Sequence, residues 1–150
     1  MYLLHGTTTA HEATIRREGL HSPYLTADAE VAAYYAEVAA DENGARALIL
    51  QLEIPDQLLS QLRADHPSFE EPLTFYRNAW ASNDREWHRR LGEKDGIPYP
   101  ENGDDWRTSL EVVRSVRFAG HLEPAHVLPA FDPALPLGDT PQTARRRPAP

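Results

Sequence analysis

The hydrophobic and polar positions along the chain predict short strands and helices in alternation. An apolar run at residues 2–5 predicts a strand, and the segment after it predicts a helix that continues to about Glu18. Residues 24–26 suit a second brief strand because they combine an aromatic and a β-branched residue. The alanine-rich segment at residues 29–40 then predicts the next helix.

The clearest strand signal is the long apolar run at residues 45–55. It follows an Asn43-Gly44 turn and is closed by a proline. Gln51 and Glu53 interrupt the apolar run, and we expect this strand to be a central one in its sheet.

The polar middle of the chain, residues 64–105, has a different character. Aromatic residues recur there at roughly helical spacing, and residues 93–105 have the composition of a loop. We interpret this segment as an insertion with a small apolar face of its own. Trp80, Trp87 and Trp106 are expected to pack inside the protein rather than to bind a substrate.

Strands are predicted again after the insertion. Three short segments are mostly apolar, at residues 110–113, 116–118 and 126–128. From residue 132 onward the chain is rich in proline and ends in RRRPAP, which predicts a disordered tail. The predicted organisation is therefore one domain over residues 1–131, followed by that tail.

Length, composition and net charge exclude several classes of protein. The 150 residues, of which 41% are hydrophobic, suffice for the core of one globular domain. No run approaches the roughly 18 apolar residues of a membrane helix, and the N-terminus lacks a signal-peptide pattern, so we expect a cytoplasmic protein without membrane contact. The net charge of -8 disfavours general binding to nucleic-acid backbones. Without cysteine, and without metal-binding spacing among the histidines, no metal site is expected.

Several short motifs occur in a fixed order along the chain. They are His5-Gly6-Thr7 at a strand end, a helix ending in Glu18-Gly19-Leu20, Tyr24-Leu25-Thr26, a helix carrying Tyr34-Tyr35, and Glu111 at the opening of a late strand. This order resembles the ADP-ribosyltransferase superfamily. It is most similar to the branch with a His, a Tyr and a Glu on three separate strands. The resemblance covers roughly residues 2–54 and 106–128.

The resemblance implies a fold, a cofactor and an activity. The fold is α+β, with two small, mainly antiparallel sheets that form a cleft for NAD+ and with helices packed outside. The activity is that of an NAD+-dependent mono-ADP-ribosyltransferase, which cleaves the bond between nicotinamide and ribose and transfers ADP-ribose to a macromolecule. A protein acceptor is preferred over nucleic acid because of the acidic net charge. We expect a bacterial or phage toxin or effector. The sequence does not decide whether an antitoxin is one of its partners.

The chemistry of this reaction explains the residue types of the motifs. Bond cleavage builds positive charge on the ribose, as in glycoside hydrolysis, so a carboxylate close to the sugar stabilises the transition state. The resemblance assigns this carboxylate to Glu111, which would also orient or deprotonate the nucleophile. His5 binds the adenosine-side ribose, and the Gly6 backbone pairs with the nicotinamide amide. Tyr24 and Tyr35 flank the nicotinamide ring.

Three hydroxyl side chains complete the expected site. Thr7 and Thr26 are candidate secondary hydrogen-bonding groups. Ser109 lies two residues before Glu111 and would share its face of an extended strand, where it could orient NAD+ or the acceptor.

Alternatives exist for two of these positions. Tyr34 is the alternative to Tyr35, since adjacent helical residues are about 100° apart and cannot both face one site. Glu53 and Glu123 compete with Glu111 as the carboxylate. Glu53 lies on the strand expected in the core, and Glu123 precedes a proline in a turn.

Other functions are compatible with parts of the pattern. An RNA 2'-phosphotransferase is similar at the first two motifs but needs a histidine near Tyr24 and basic residues for the phosphate. NAD+ glycohydrolase activity on the same fold is a further alternative. A non-catalytic module that binds ADP-ribose or a nucleotide belongs to a different functional class.

Overall fold

Strands and helices alternate along the computed structural model, which describes residues 1–93 and 96–131. The predicted tail, residues 132–150, lies outside the described residues. The strands are β1 (Tyr2–Thr8), β2 (Leu20–His21), β3 (Tyr24–Thr26), β4 (Ala47–Glu53), β5 (Leu62–Ala64), β6 (Ser115–Phe118), β7 (His121–Leu122) and β8 (Val127–Ala130). The α-helices are α1 (Glu12–Glu18), α2 (Ala29–Asn43), α3 (His66–Glu70), α4 (Thr74–Trp80), α5 (Asp84–Leu91) and α6 (Trp106–Val113). Short 3-10 helices lie at Asp56–Gln61 and Pro124–His126.

The strands form one large sheet and one small one. The large sheet has six strands in the order β5-β6-β3-β1-β4-β8, and β2 and β7 form a two-stranded sheet. Neighbouring strands pair antiparallel throughout these two sheets. The predicted α+β class and antiparallel character are confirmed, as is the interior position of β4 between β1 and β8. The expectation of two small sheets is corrected, since one of the two sheets is large.

The pairing of β1 with its two neighbours is very unequal. β1 and β4 are in register over the whole of β1, from Tyr2 opposite Glu53 to Thr8 opposite Ala47. β1 and β3 pair only at Leu4 and Thr26. Beyond that pair the two strands diverge, which opens the sheet between them.

The two faces of the large sheet are covered differently. One face buries a cluster that includes Leu3, Leu25 and Val116, as expected from alternating apolar positions. Helix α2 packs against the other face so closely that a Cβ on Gly6 would lie 2.3 Å from the carbonyl oxygen of Ala32. A residue without a side chain is therefore required at position 6 for this packing.

The middle segment forms a second core cluster. Trp87 is fully buried there and donates from Nε1 to the carbonyl oxygen of Phe69 over 2.8 Å. The cluster also includes Val31 of α2 and Val112 of α6, so the three short helices α3, α4 and α5 are packed into the rest of the domain. The helical spacing predicted for this segment is confirmed, and so is the packing role of Trp87. None of the helices in the two described ranges has the length and apolar character needed to span a bilayer.

The prediction of a strand at residues 110–113 is wrong, because these residues belong to α6. The carboxylate of Asp105 caps this helix by accepting from the Thr108 backbone N–H over 3.3 Å. Apolar residues at Trp106, Leu110 and Val113 recur at helical spacing and extend the short run backwards. A run of four residues with three apolar positions does not by itself distinguish a strand from a buried helix, and the cap decides the outcome here.

Candidate functional site

A cavity of about 490 Å³ lies where β1 and β3 diverge and where α2 crosses the sheet. This volume falls within the range of roughly 300–1,000 Å³ that is usual for small-molecule sites. The cavity is formed by residues from five separate parts of the chain. They are Leu4, His5 and Gly6 of β1, Tyr24, Leu25 and Thr26 of β3, Val31, Ala32, Tyr35, Val38, Ala39 and Glu42 of α2, Asp65 and Pro67 around the start of α3, and Ser115 of β6.

His5 occupies the gap between the two diverging strands. Its Nδ1 lies 2.9 Å from the carbonyl oxygen of Tyr24, and because a carbonyl only accepts, Nδ1 carries a proton. Burial lowers the pKa of His5, while the hydrogen bond to Tyr24 opposes this shift. In the neutral ring Nε2 is then an acceptor, which suits a hydroxyl donor such as that of a ribose.

Two tyrosines from different elements face the cavity. Tyr24 of β3 is 49% exposed and Tyr35 of α2 is 40% exposed, so both phenol rings have free surface. Burial of its inner part raises the pKa of Tyr35, and the Ser68 hydroxyl nearby opposes the shift. Tyr34 is 46% exposed but is not a lining residue, so of the two adjacent tyrosines it is Tyr35 that lines the cavity.

Asp65 supplies a buried carboxylate that the sequence analysis did not identify. It caps α3, where its two oxygens accept from the Ser68 backbone N–H over 3.2 Å and from the Ser68 hydroxyl over 2.7 Å. The Asp65-His66-Pro67 order is a recognisable helix start. Asp65 lies 60 residues from His5 in sequence, and no local pattern indicates that the two residues line one cavity. Glu42 of α2 is a second lining carboxylate, and among residues 1–93 and 96–131 no Lys or Arg lines the cavity. The walls of the cavity are therefore mostly apolar, with two tyrosine rings and two carboxylates among them.

Of the predicted residues Gly6, Thr7 and Thr26, two line the cavity and one does not. Gly6 lines the cavity and is also the point at which α2 approaches β1. Thr26 lines it too, but its hydroxyl already donates to the Arg114 carbonyl and accepts from the Asp28 backbone N–H. Thr7 is buried and does not line the cavity.

Glu111 is not brought together with His5 and Tyr24. It is exposed on α6 and is not a lining residue of the cavity. The expected common face with Ser109 is also wrong, because residues two apart on a helix point in nearly opposite directions. Ser109 is fully buried, where its hydroxyl accepts from the Asp65 backbone N–H over 2.8 Å and donates to the Ser115 carbonyl over 2.7 Å. Ser109 thus connects two residues that line the cavity.

The late strand near the cavity is β6, which begins at Ser115. This serine pairs with Thr26, lines the cavity, and donates from its hydroxyl to the Leu25 carbonyl over 3.3 Å. The resemblance places a glutamate at the start of the late strand, and here that position holds serine. The competing carboxylates Glu53 and Glu123 do not line the cavity either. Asp65 and Glu42 are thus the carboxylates that the cavity contains.

Comparison with known proteins gives no family assignment. The chain matches no protein-family model, and no curated protein or solved structure matches it. Within residues 1–93 and 96–131, no three histidine or carboxylate side chains are grouped so that they could hold a metal ion. The resemblance to ADP-ribosyltransferases therefore rests on the residues themselves.

Proposed function

We propose that this protein binds NAD+ at the cavity between β1, β3 and α2 and acts as an NAD+-dependent mono-ADP-ribosyltransferase on a macromolecular acceptor. One observation supports this most strongly. His5, Tyr24 and Tyr35 lie on three elements that are separate in sequence, and all three line one cavity. These are the histidine, the strand tyrosine and the helix aromatic on which the family resemblance depends.

The charge of the cavity walls favours the nicotinamide end of NAD+. The nicotinamide ring of NAD+ is flat and positively charged, so it gains from the faces of Tyr24 and Tyr35 through cation–π contacts. The carboxylates of Asp65 and Glu42 add attraction for a cation. An anionic group would find no basic side chain among the described lining residues, so in this proposal the phosphates lie outside the cavity.

Asp65 replaces Glu111 as the candidate catalytic carboxylate in this proposal. When the bond between nicotinamide N1 and ribose C1' breaks, its electron pair leaves with nicotinamide and positive charge develops on the sugar. The acceptor nucleophile then bonds to C1' and loses its proton to a base. Asp65 lines the cavity with both oxygens oriented by Ser68, so it is placed to stabilise the developing charge.

The test is the release of free nicotinamide from NAD+ by wild type, Asp65→Asn and Glu111→Gln. We expect Asp65→Asn to slow release by about 100-fold or more, because it removes a preorganised charge. Glu111→Gln serves as the matched control and is expected to keep the wild-type rate. Equal rates for wild type and Asp65→Asn would refute the assignment of Asp65. Labelled NAD+ offered with a cell lysate, followed by protease or nuclease digestion, identifies the acceptor class.

Two adjacent tyrosines give a matched pair for binding. Tyr35→Ala removes a ring from the cavity wall, and we expect it to weaken NAD+ binding by roughly 10-fold. Tyr34→Ala removes a ring of similar exposure that lies outside the cavity and packs edge-on against the Tyr35 ring, with 5.3 Å between the ring centroids, so its loss of affinity should be much smaller. Equal losses in the two variants would show that the ring of NAD+ does not bind here.

A non-catalytic module that binds NAD+ or ADP-ribose is the second candidate. The position of Glu111 outside the cavity and the serine at the start of β6 favour it, since neither supplies the carboxylate that the family pattern expects. Such a module would bind NAD+ with Tyr35-dependent affinity and release no nicotinamide. The same two assays therefore separate the enzyme from the binding module.

A further inference from the structure

Two arginines share one row of the large sheet with Tyr24. Arg117 of β6 pairs with Tyr24 of β3 on one side and with Arg63 of β5 on the other. Directly opposed residues of antiparallel strands project from the same face of the sheet. Tyr24, Arg117 and Arg63 therefore form a continuous row, which we call the arginine row.

The arginine row borders the cavity. The neighbouring row on the same face consists of Leu4, Thr26 and Ser115, and all three line the cavity. Positions two residues apart on a strand lie about 7 Å apart and share a face. Arg117 is thus one row beyond Ser115, and Tyr24 belongs both to the arginine row and to the cavity wall.

Within the described part of the chain the charge of this row is balanced only in part, by Asp104 beside Arg63. The Arg63 guanidinium donates to the carbonyls of Ser60 and Leu62 over 2.6 and 2.8 Å, and its Nε lies 3.7 Å from Asp104. Arg117 is only partly exposed, and no acceptor or carboxylate among residues 1–93 and 96–131 forms a hydrogen bond or ion pair with it. Like charges placed directly opposite each other on a sheet are unfavourable. An anion bound between them would remove this repulsion.

We propose that Arg117, supported by Arg63, binds the pyrophosphate of the dinucleotide whose nicotinamide ring occupies the cavity. This inference rests on the proposed function, because the ring position sets where the phosphates fall. In the part of the chain that the structure describes, the cavity has no basic lining residue, whereas the adjoining row has two. The planar guanidinium of arginine matches phosphate oxygens in a bidentate arrangement, which makes Arg117 the natural anion partner.

Three ligands of increasing phosphate content test the proposal by calorimetry. Nicotinamide riboside has no phosphate, nicotinamide mononucleotide has one, and NAD+ has the pyrophosphate. We expect Arg117→Gln to raise the Kd for NAD+ about 10-fold or more and to leave the Kd for nicotinamide riboside unchanged. Arg117→Lys keeps the charge and should recover part of the loss. Arg63→Gln should have a smaller effect, because the Arg63 donors already serve backbone carbonyls.

Arg85→Gln is the control for the change in net charge, since Arg85 is exposed on α5. It should leave all three affinities at the wild-type values, and thermal unfolding should be the same for all the variants. An unchanged NAD+ affinity in Arg117→Gln, or an equal loss for nicotinamide riboside, would overturn the inference and leave the proposed function intact. If wild type binds neither nicotinamide riboside nor NAD+, the proposed function fails and this inference fails with it.

Discussion

The Nδ1 atom of His5 donates a hydrogen bond to the carbonyl oxygen of Tyr24 across the point where β1 and β3 stop pairing. The side chain of one residue thus replaces a ladder hydrogen bond that the diverging backbones no longer make. Because the contact uses the Tyr24 backbone, the Tyr24 ring remains free to face the cavity. This contact orients the His5 ring and connects β1 with β3 at the wall of the cavity.

His5 should make the stability of the protein depend on pH. Its pKa is lowered by burial in the folded state, whereas the unfolded value is about 6.5. Above the unfolded pKa both states hold a neutral ring, so the group has no effect. As the pH falls below about 6.5, the unfolded state binds the proton first and the free energy of unfolding decreases until the folded pKa is passed.

Urea unfolding of wild type and His5→Gln between about pH 7.5 and pH 5 measures this effect. The other histidines contribute equally to both proteins, so the difference between the two curves reports on His5. We expect wild type to lose more stability on acidification than His5→Gln. Parallel curves would show that burial of His5 carries no such penalty.

Gly6→Ala should destabilise the fold through the contact with α2. The new Cβ would lie 2.3 Å from the Ala32 carbonyl oxygen and 2.7 Å from the Ala36 backbone nitrogen, and neither backbone atom can move alone. We expect a loss of about 1–3 kcal/mol or more in urea unfolding, with α2 displaced and the cavity altered.

Gly103→Ala is the matched control, because nothing lies within 4 Å of the Cβ that it would gain. It should leave the free energy of unfolding within about 0.5 kcal/mol of wild type. If Gly6→Ala behaves like Gly103→Ala, the close approach of α2 to β1 is not present in solution.

Much of the fold could be predicted because its signals are local. The alanine-rich helix ends at Gly44, whose φ of 59° is left-handed, and it starts after Asp28, which accepts from the Glu30 backbone N–H. Both features can be recognised in the sequence as a helix cap and a turn. The long apolar run at β4 and the short Tyr24–Thr26 strand are likewise local patterns.

The candidate site could be predicted only in part, because its remaining members depend on tertiary contacts. His5, Tyr24 and Tyr35 were identified from motif order, and they do share the cavity. Glu111 lies outside the cavity because the segment from Trp106 is a helix, so the late strand starts at position 115. Asp65 was missed because its cap is local, while its place at the cavity depends on how the chain folds back.

Ser109→Ala should cost more than the removal of an ordinary hydroxyl. The Ser109 hydroxyl satisfies both the Asp65 backbone N–H and the Ser115 carbonyl in a fully buried position. Its loss leaves two buried backbone groups without a partner, so we expect a decrease of about 1–3 kcal/mol in the free energy of unfolding. Because Asp65 and Ser115 both line the cavity, NAD+ affinity should decrease as well.

Ser60→Ala is the control for Ser109→Ala, since Ser60 is exposed at the surface. We expect its stability and its NAD+ affinity to match wild type. A Ser109→Ala protein with wild-type stability would mean that water replaces the lost hydroxyl. A loss of stability without a loss of affinity would limit Ser109 to a structural role.

Tyr76→Phe should leave the protein as stable as wild type, or more stable, although Tyr76 is only 4% exposed. Its hydroxyl lies near Ser68 and the Leu73 carbonyl, yet it forms no hydrogen bond of adequate geometry with any residue that the structure describes. Burial raises the pKa of Tyr76 to about 12, so the group stays an uncharged donor at neutral pH. Removing an unsatisfied buried hydroxyl while keeping the ring removes a desolvation cost and no contact. A loss above about 1 kcal/mol in urea unfolding would instead show that the hydroxyl is bonded in solution.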